Sequence, residues 1–164
     1  MKMKRSDLLA LWQAFEELQN NKQEVLFSYF IAKNRIAMRD AVNEFNKKQE
    51  LTEEFKKYDV KRSALASAYA DKNEKNEPVI NNGEYVITQR KPEFDKKLAG
   101  LKNTFSSVIE EWKKQIDMLN NMLKEEVEIP GYKIKLVDIP HTIEPRLIEL
   151  ILVNHLLIVE DASV

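Results

Sequence analysis

Apolar residues recur at helical spacings along most of this chain. Leu8, Leu11, Trp12, Phe15 and Leu18 are separated by threes and fours, and Ser6 stands where an N-cap belongs, so a first helix is expected over residues 6–19. Asn20-Asn21 marks a break. From Lys22 to Tyr69 there is neither Gly nor Pro. Leu26, Phe30, Ile36 and Ala37 open an apolar stripe, Met38, Val42 and Phe45 continue it, and Leu51, Phe55, Tyr58, Leu65 and Tyr69 resume it after a phase shift. The pattern predicts a long helix over residues 22–70. It is either continuous, at roughly 70 Å for a rise of about 1.5 Å per residue, or bent between Phe45 and Thr52, with Thr52 capping a restart ahead of Glu53-Glu54. Pro92 suits the first turn of the next helix. Phe94, Leu98, Leu101, Phe105, Val108, Trp112, Gln115, Leu119 and Met122 then alternate by four and three, a heptad seam within a helix over residues 92–126. Ile109, Ile116 and Leu123 widen that seam, and Gly100 weakens it by about 1 kcal/mol relative to Ala.

Between the long helices the pattern changes to short extended runs. Pro78 opens Val79-Ile80, Asn81-Asn82-Gly83 supplies the positive φ of a tight turn, and Tyr85 to Thr88 returns, which predicts a β-hairpin over residues 78–88. A second β segment is expected over residues 127–139: Val127 to Ile129, a Pro130-Gly131 turn, then Tyr132 to Ile139 with Tyr132, Ile134 and Leu136 on one face. Pro145 opens a last helix, residues 145–157, and residues 160–164 are expected to fray. The expected fold is mainly α and a single domain over residues 1–164: a long antiparallel helical hairpin, coiled-coil-like, with two small β elements and short N- and C-terminal helices. If its helices are straight, the two β elements lie roughly 50 Å apart. Each then exposes an edge for a partner to cover.

Charge narrows the partners. Twenty-six Lys and Arg nearly cancel 27 Asp and Glu, for a net charge of −1, so the chain has no general attraction for nucleic acid. Basic doublets such as Lys56-Lys57, Lys61-Arg62 and Lys96-Lys97 recur, but acidic neighbours interrupt them. Lys2, Lys4 and Arg5 form the least neutralised cluster. A nucleic-acid-binding accessory factor using these doublets on one helical face is the alternative reading. The basic start runs into an apolar stretch that Trp12, Gln13, Glu16 and Glu17 interrupt, so no leader is expected. Leu150 to Val153 and Leu156 to Val159 are far shorter than the ~20 residues a bilayer span requires. No membrane association is expected, and the location expected is cytoplasmic, in a host cell if the protein is viral. The chain has no cysteine.

Catalytic chemistry finds little purchase. His141 and His155 lack a compact ligand spacing. Glu128, Asp138 and His141 are the nearest approach to a metal set and read as surface. Assembly of those three across subunits into a cryptic enzyme is a third reading. The three glycines open no phosphate-cradling loop, the carboxylate pairs lie on polar helix faces, and Trp12 and Trp112 sit on apolar stripes as core. No catalytic, cofactor-binding or metal-binding residue and no cofactor are expected; the protein reads as not an enzyme.

The sequence "EFNKKQELTEEFKKYD", a polar gap, "NEPVINNGEYVI", a helix, and "LKEEVEIPGYKIKLVDIP" before a short closing helix together resemble a family of small uncharacterised proteins encoded by tailed bacteriophages. Pro78, Tyr85, Ile87 and Glu125 to Ile129 carry the resemblance, while Asn76-Glu77 departs from a Gly-containing loop. It implies a phage-encoded accessory protein and brings no activity with it. The function expected is non-enzymatic protein–protein interaction: virion or tail assembly, or host takeover by inhibiting a host enzyme or defence protein. Asn82, Tyr85, Val86, Tyr132 and Ile134 are the candidate partner-binding residues, and the surplus apolar width of the 92–126 helix points to a homo-oligomer.

Overall fold

The computed structural model describes residues 1–19 and 24–158. The expected break at Asn20-Asn21, the helix start at Lys22 and the frayed residues 160–164 lie outside them. In chain order the elements are β1 (Lys2–Lys4), α1 (Arg5–Gln19), α2 (Val25–Gln49), α3 (Glu53–Tyr69), β2 (Ile80–Asn81), β3 (Glu84–Tyr85), α4 (Lys91–Thr104), α5 (Ser106–Lys124), β4 (Glu126–Glu128), β5 (Ile134–Lys135), a 3-10 turn (Leu136–Asp138), α6 (Pro145–Val153) and β6 (Leu157–Ile158). The protein is mainly helical with a few small strands. Two compact units are distinguished, one formed by Met1–Gln49 with Met118–Val164, the other by Glu50–Asp117.

In the first unit α1 packs on α2 and α6. Leu8, Leu11 and Phe15 of α1 are fully buried, as the stripe predicts, against Phe27, Phe30, Ile31, Met38 and Val42 of α2 and Leu147 and Ile151 of α6. Phe15 meets Phe30 edge-on at 5.7 Å, and Phe27 stacks on Phe30 at 5.9 Å. The start of the second helix departs from the expected stripe. Leu26 and Ile36 point outward, because this segment is apolar on two opposite faces and only the Phe27–Phe30–Ile31 face meets the core.

The second β segment also differs from expectation. Glu126–Glu128 pairs antiparallel with Lys2–Lys4, and Ile134–Lys135 pairs parallel with Leu157–Ile158, while 136–138 turns as 3-10 helix. Edges expected to await a partner are thus paired in part from within the chain. A three-residue Lys-Met-Lys strand is too short to leave a periodic signal. The last helix stops at Val153 rather than 157. His155 adopts φ 56°, and the Leu156 N–H returns to Ile151 O at 3.0 Å, closing the helix end and turning the chain into β6.

In the second unit the expected 22–70 helix is interrupted at residues 50–52. Thr52 Oγ1 accepts from the Phe55 N–H at 3.2 Å and starts α3. α3 packs on α4. Phe55 stacks on Trp112 at 4.9 Å, Tyr58 meets Phe105 at 5.6 Å and Tyr69 meets Phe94 at 6.1 Å. Gln115, at a seam position, donates to Glu50 O. The expected 92–126 helix has an irregular residue at Phe105. The Thr104 hydroxyl bonds back to Gly100 O at 3.0 Å, a competition with the helical ladder that bends helices. Between α3 and α4, β2 and β3 form the expected hairpin, with Asn82 (φ 50°) and Gly83 (φ 81°) as its two-residue turn.

Candidate functional site

The first fourteen residues of α2, VLFSYFIAKNRIAM, contain only Lys33 and Arg35 as charged groups. A helix apolar on one face hides that face in the core, and one apolar on both has a second face to account for. Here the second face lies in solvent. Val25 is 84% exposed, Leu26 64%, Tyr29 61% and Ile36 64%. At 3.6 residues per turn these positions, with Ala32 and Lys33, fall within one contiguous stripe.

Tyr132 extends the stripe, and Asn34 holds it there. Asn34 lies on the inner side of α2, almost wholly buried. Its amide nitrogen donates to Phe30 O and to Tyr132 O, both at 3.0 Å, and its Oδ1 accepts from the Tyr132 N–H at 3.1 Å. One side chain thereby satisfies both backbone polar groups of Tyr132, as a neighbouring strand would. The Lys33 ammonium sits 5.5 Å from the Tyr29 ring centroid and 5.4 Å from that of Tyr132, bridging the helix and the loop by cation–π contact. The result is an apolar, aromatic surface around a single lysine. The sequence reading missed this site. Its signal was a polar Asn34 among apolar residues and the second apolar phase at Val25, Tyr29 and Ile36.

Of the candidate partner residues, Tyr132 belongs to this surface. Ile134, two residues on, is buried in the core, where its contacts hold the fold. Asn82, Tyr85 and Val86 lie in the other unit: Asn82 is exposed at the hairpin turn, and Tyr85 and Val86 are half-buried. At the base of that hairpin the Asp71 carboxylate accepts from the Thr88 hydroxyl and from the Thr88 and Gln89 N–H groups. These bonds, the Thr88 hydroxyl first, hold its pKa below the ordinary value. A groove of about 540 Å³ runs alongside the contact of α1 with α6, lined by Ala10, Ala14, Leu147 and Leu150 together with Glu17 and Arg146.

The remaining sequence candidates disperse. Glu128 is exposed on β4, Asp138 is half-buried in the 3-10 turn and His141 is exposed. Among the described residues no three His, Cys, Asp or Glu converge as a metal site, and no helix is long and apolar enough to cross a membrane. In the basic N-terminal cluster, Lys2 stands opposite Glu128 and Lys4 opposite Glu126 across the β1–β4 pair. Arg5 is buried, donating to Ala41 O at 2.9 Å and pairing with Glu44 at 3.1 Å. No family model, no curated protein and no solved structure matches the chain.

Proposed function

We propose that this chain is a non-enzymatic interaction protein whose contact surface is the outer face of α2 together with Tyr132. The observation that carries the reading is the exposure of Val25, Leu26, Tyr29 and Ile36 on one stripe of a helix whose opposite stripe is already buried. Contiguous apolar surface of that kind on a folded chain marks a place where another molecule binds. The partner class is protein, and the setting is that of a phage accessory factor acting in assembly or on a host enzyme or defence protein. The motif resemblance is the support for that setting. The unit from Glu50 to Asp117 serves as an antiparallel helical-hairpin arm. Support comes from its ring contacts, whose order reverses along the chain, with residue 55 against 112, 58 against 105 and 69 against 94. Its turn presents Asn82, Tyr85 and Val86 as a secondary contact.

A photoreactive amino acid at position 29 tests the surface. In cells making the full chain, it is expected to give covalent adducts with protein, and the same group at Lys102, exposed on α4, is the control. Adducts no more abundant from position 29 than from position 102 overturn the reading.

A further inference from the structure

The outer stripe of α2 has internal order that a general sticky patch lacks. Val25, Tyr29, Ala32 and Ile36 follow one another at four, three and four, the spacing of a coiled-coil seam. Large residues lie toward both ends and the small Ala32 lies between them, where a crossing helix approaches most closely. We infer that this face binds a second copy of this chain, with the two α2 helices antiparallel about a two-fold axis at Ala32. The inference rests on the reading of the face as a contact surface and names its occupant.

Three properties of the stripe favour a second copy. The first is self-complementarity. Antiparallel copies centred on Ala32 place Ile36 of each against Tyr29 of the other, so one contact is made twice, as a two-fold interface requires. The second is charge. The groups along and at the ends of the stripe are Glu24, Lys33, Arg39 and Asp40, which balance. A neutral face neither repels its own copy nor draws an anionic membrane or nucleic acid. With the axis at Ala32, position 24 of each copy stands opposite position 40 of the other, so Glu24 approaches an Asp40 whose charge Arg39 already offsets by its ion pair at 3.3 Å. Lys33 is already accommodated over the Tyr29 and Tyr132 rings, and among the described residues no carboxylate pairs with it. The third is area. From the exposures of the four helix residues and Tyr132, and ordinary side-chain areas, the face presents roughly 500 Å² of apolar surface. A stable dimer buries about 800 Å² per partner, a little over half of it apolar. The stripe therefore meets what a dimer needs.

The absence of cysteine makes the arrangement directly testable. Single-cysteine variants of the full chain are oxidised under mild conditions, and dimer mass is followed by sedimentation. The wild-type chain is expected to dimerise reversibly with concentration, and Ile36→Glu to weaken dimerisation by about a hundredfold with its helical circular dichroism unchanged. Ala32→Cys is expected to form an intermolecular disulfide at least tenfold faster than Val60→Cys, which is exposed in the other unit. A mixture of Tyr29→Cys and Ile36→Cys chains is expected to cross-link between unlike chains faster than either does with itself.

A dimer indifferent to Ile36→Glu, or one in which Tyr29→Cys links to itself fastest, overturns the inference. A chain that is monomeric at all concentrations overturns it too. If position 29 still captures another protein in cells, the surface reading survives with a different occupant; if it captures nothing, both fall. Retention of the wild-type chain, but not Ile36→Glu, on vesicles of neutral phospholipid, with no dimer formed, overturns both in favour of a lipid surface.

Discussion

Removing a buried side chain that serves three backbone groups leaves each of them one hydrogen bond short. Asn34→Ala deprives the Tyr132 N–H and C=O of their partner inside the protein. At about 0.5–1.5 kcal/mol for each hydrogen bond lost, the variant is expected to lose about 1–3 kcal/mol of stability, read from the urea midpoint. Tyr29→Ala, on the exposed stripe of the same helix, is expected to stay within about 0.5 kcal/mol. Equal losses would mean that the stripe is part of the fold and not a surface. Asp71 makes a pH-dependent prediction. Its folded pKa lies below the ordinary 3.8, so its contribution to stability is complete above the unfolded value and is lost as pH falls through the folded one. Carbon-detected NMR titration of Asp71 is expected to show a midpoint below 3.8, and Thr88→Val to move it upward, since the Thr88 hydroxyl is the largest cause. An unchanged midpoint in that variant refutes the assignment.

At the scale of elements, the end of α6 depends on a histidine in a left-handed conformation. Asn154 caps the helix, His155 takes the positive φ, and Leu156 is fully buried beyond it, in the six-to-one bonding pattern that glycine usually terminates. His155→Gly relieves the contact between Cβ and the following carbonyl and is expected to stabilise the protein by about 1 kcal/mol, seen as a raised thermal midpoint. A lowered midpoint would show that the imidazole does something the backbone does not reveal. The elements legible in the sequence were those with a long period or a strong turn signal. The alternation from Phe94 to Met122 foretold helix over that stretch, though as one helix and not as α4 and α5 on either side of Phe105, and Asn82-Gly83 foretold the β2–β3 turn. Thr52 foretold the start of α3. Hidden were the elements whose cause lies elsewhere in the chain. Strand β1 exists because Glu126 to Glu128 is there to pair with it, and β6 exists because His155 redirects the chain toward Ile134. The exposed apolar face of α2 was hidden for another reason: counting Leu26 and Ile36 with Phe30 merged two faces of one helix into a single stripe.

For the molecule as a whole, the two units differ in how much they enclose. The first has a contiguous core of fully buried side chains running from Leu8 to Leu156. In the second only Tyr58 and Ala70 are buried, and α4 contributes no buried residue. Local opening follows buried contact density. Amides of α3 and α4 are therefore expected to exchange with deuterium faster than those around Phe30, Ile31 and Met38, a difference that peptide-resolved mass spectrometry measures. Uniform protection across the chain would contradict it. The division also has a consequence in time. The second unit is one unbroken stretch of chain, whereas the first joins residues 1–49 to residues beyond 117. During synthesis, helices α1 and α2 leave the ribosome able to cover each other only in part, Phe15 against Phe30, with the core residues that meet α6 and the later strands still bare. They stay so until the strands and helix that complete their core have been translated, so a nascent chain stalled at Asp117 is the form in which a chaperone would find the most to hold.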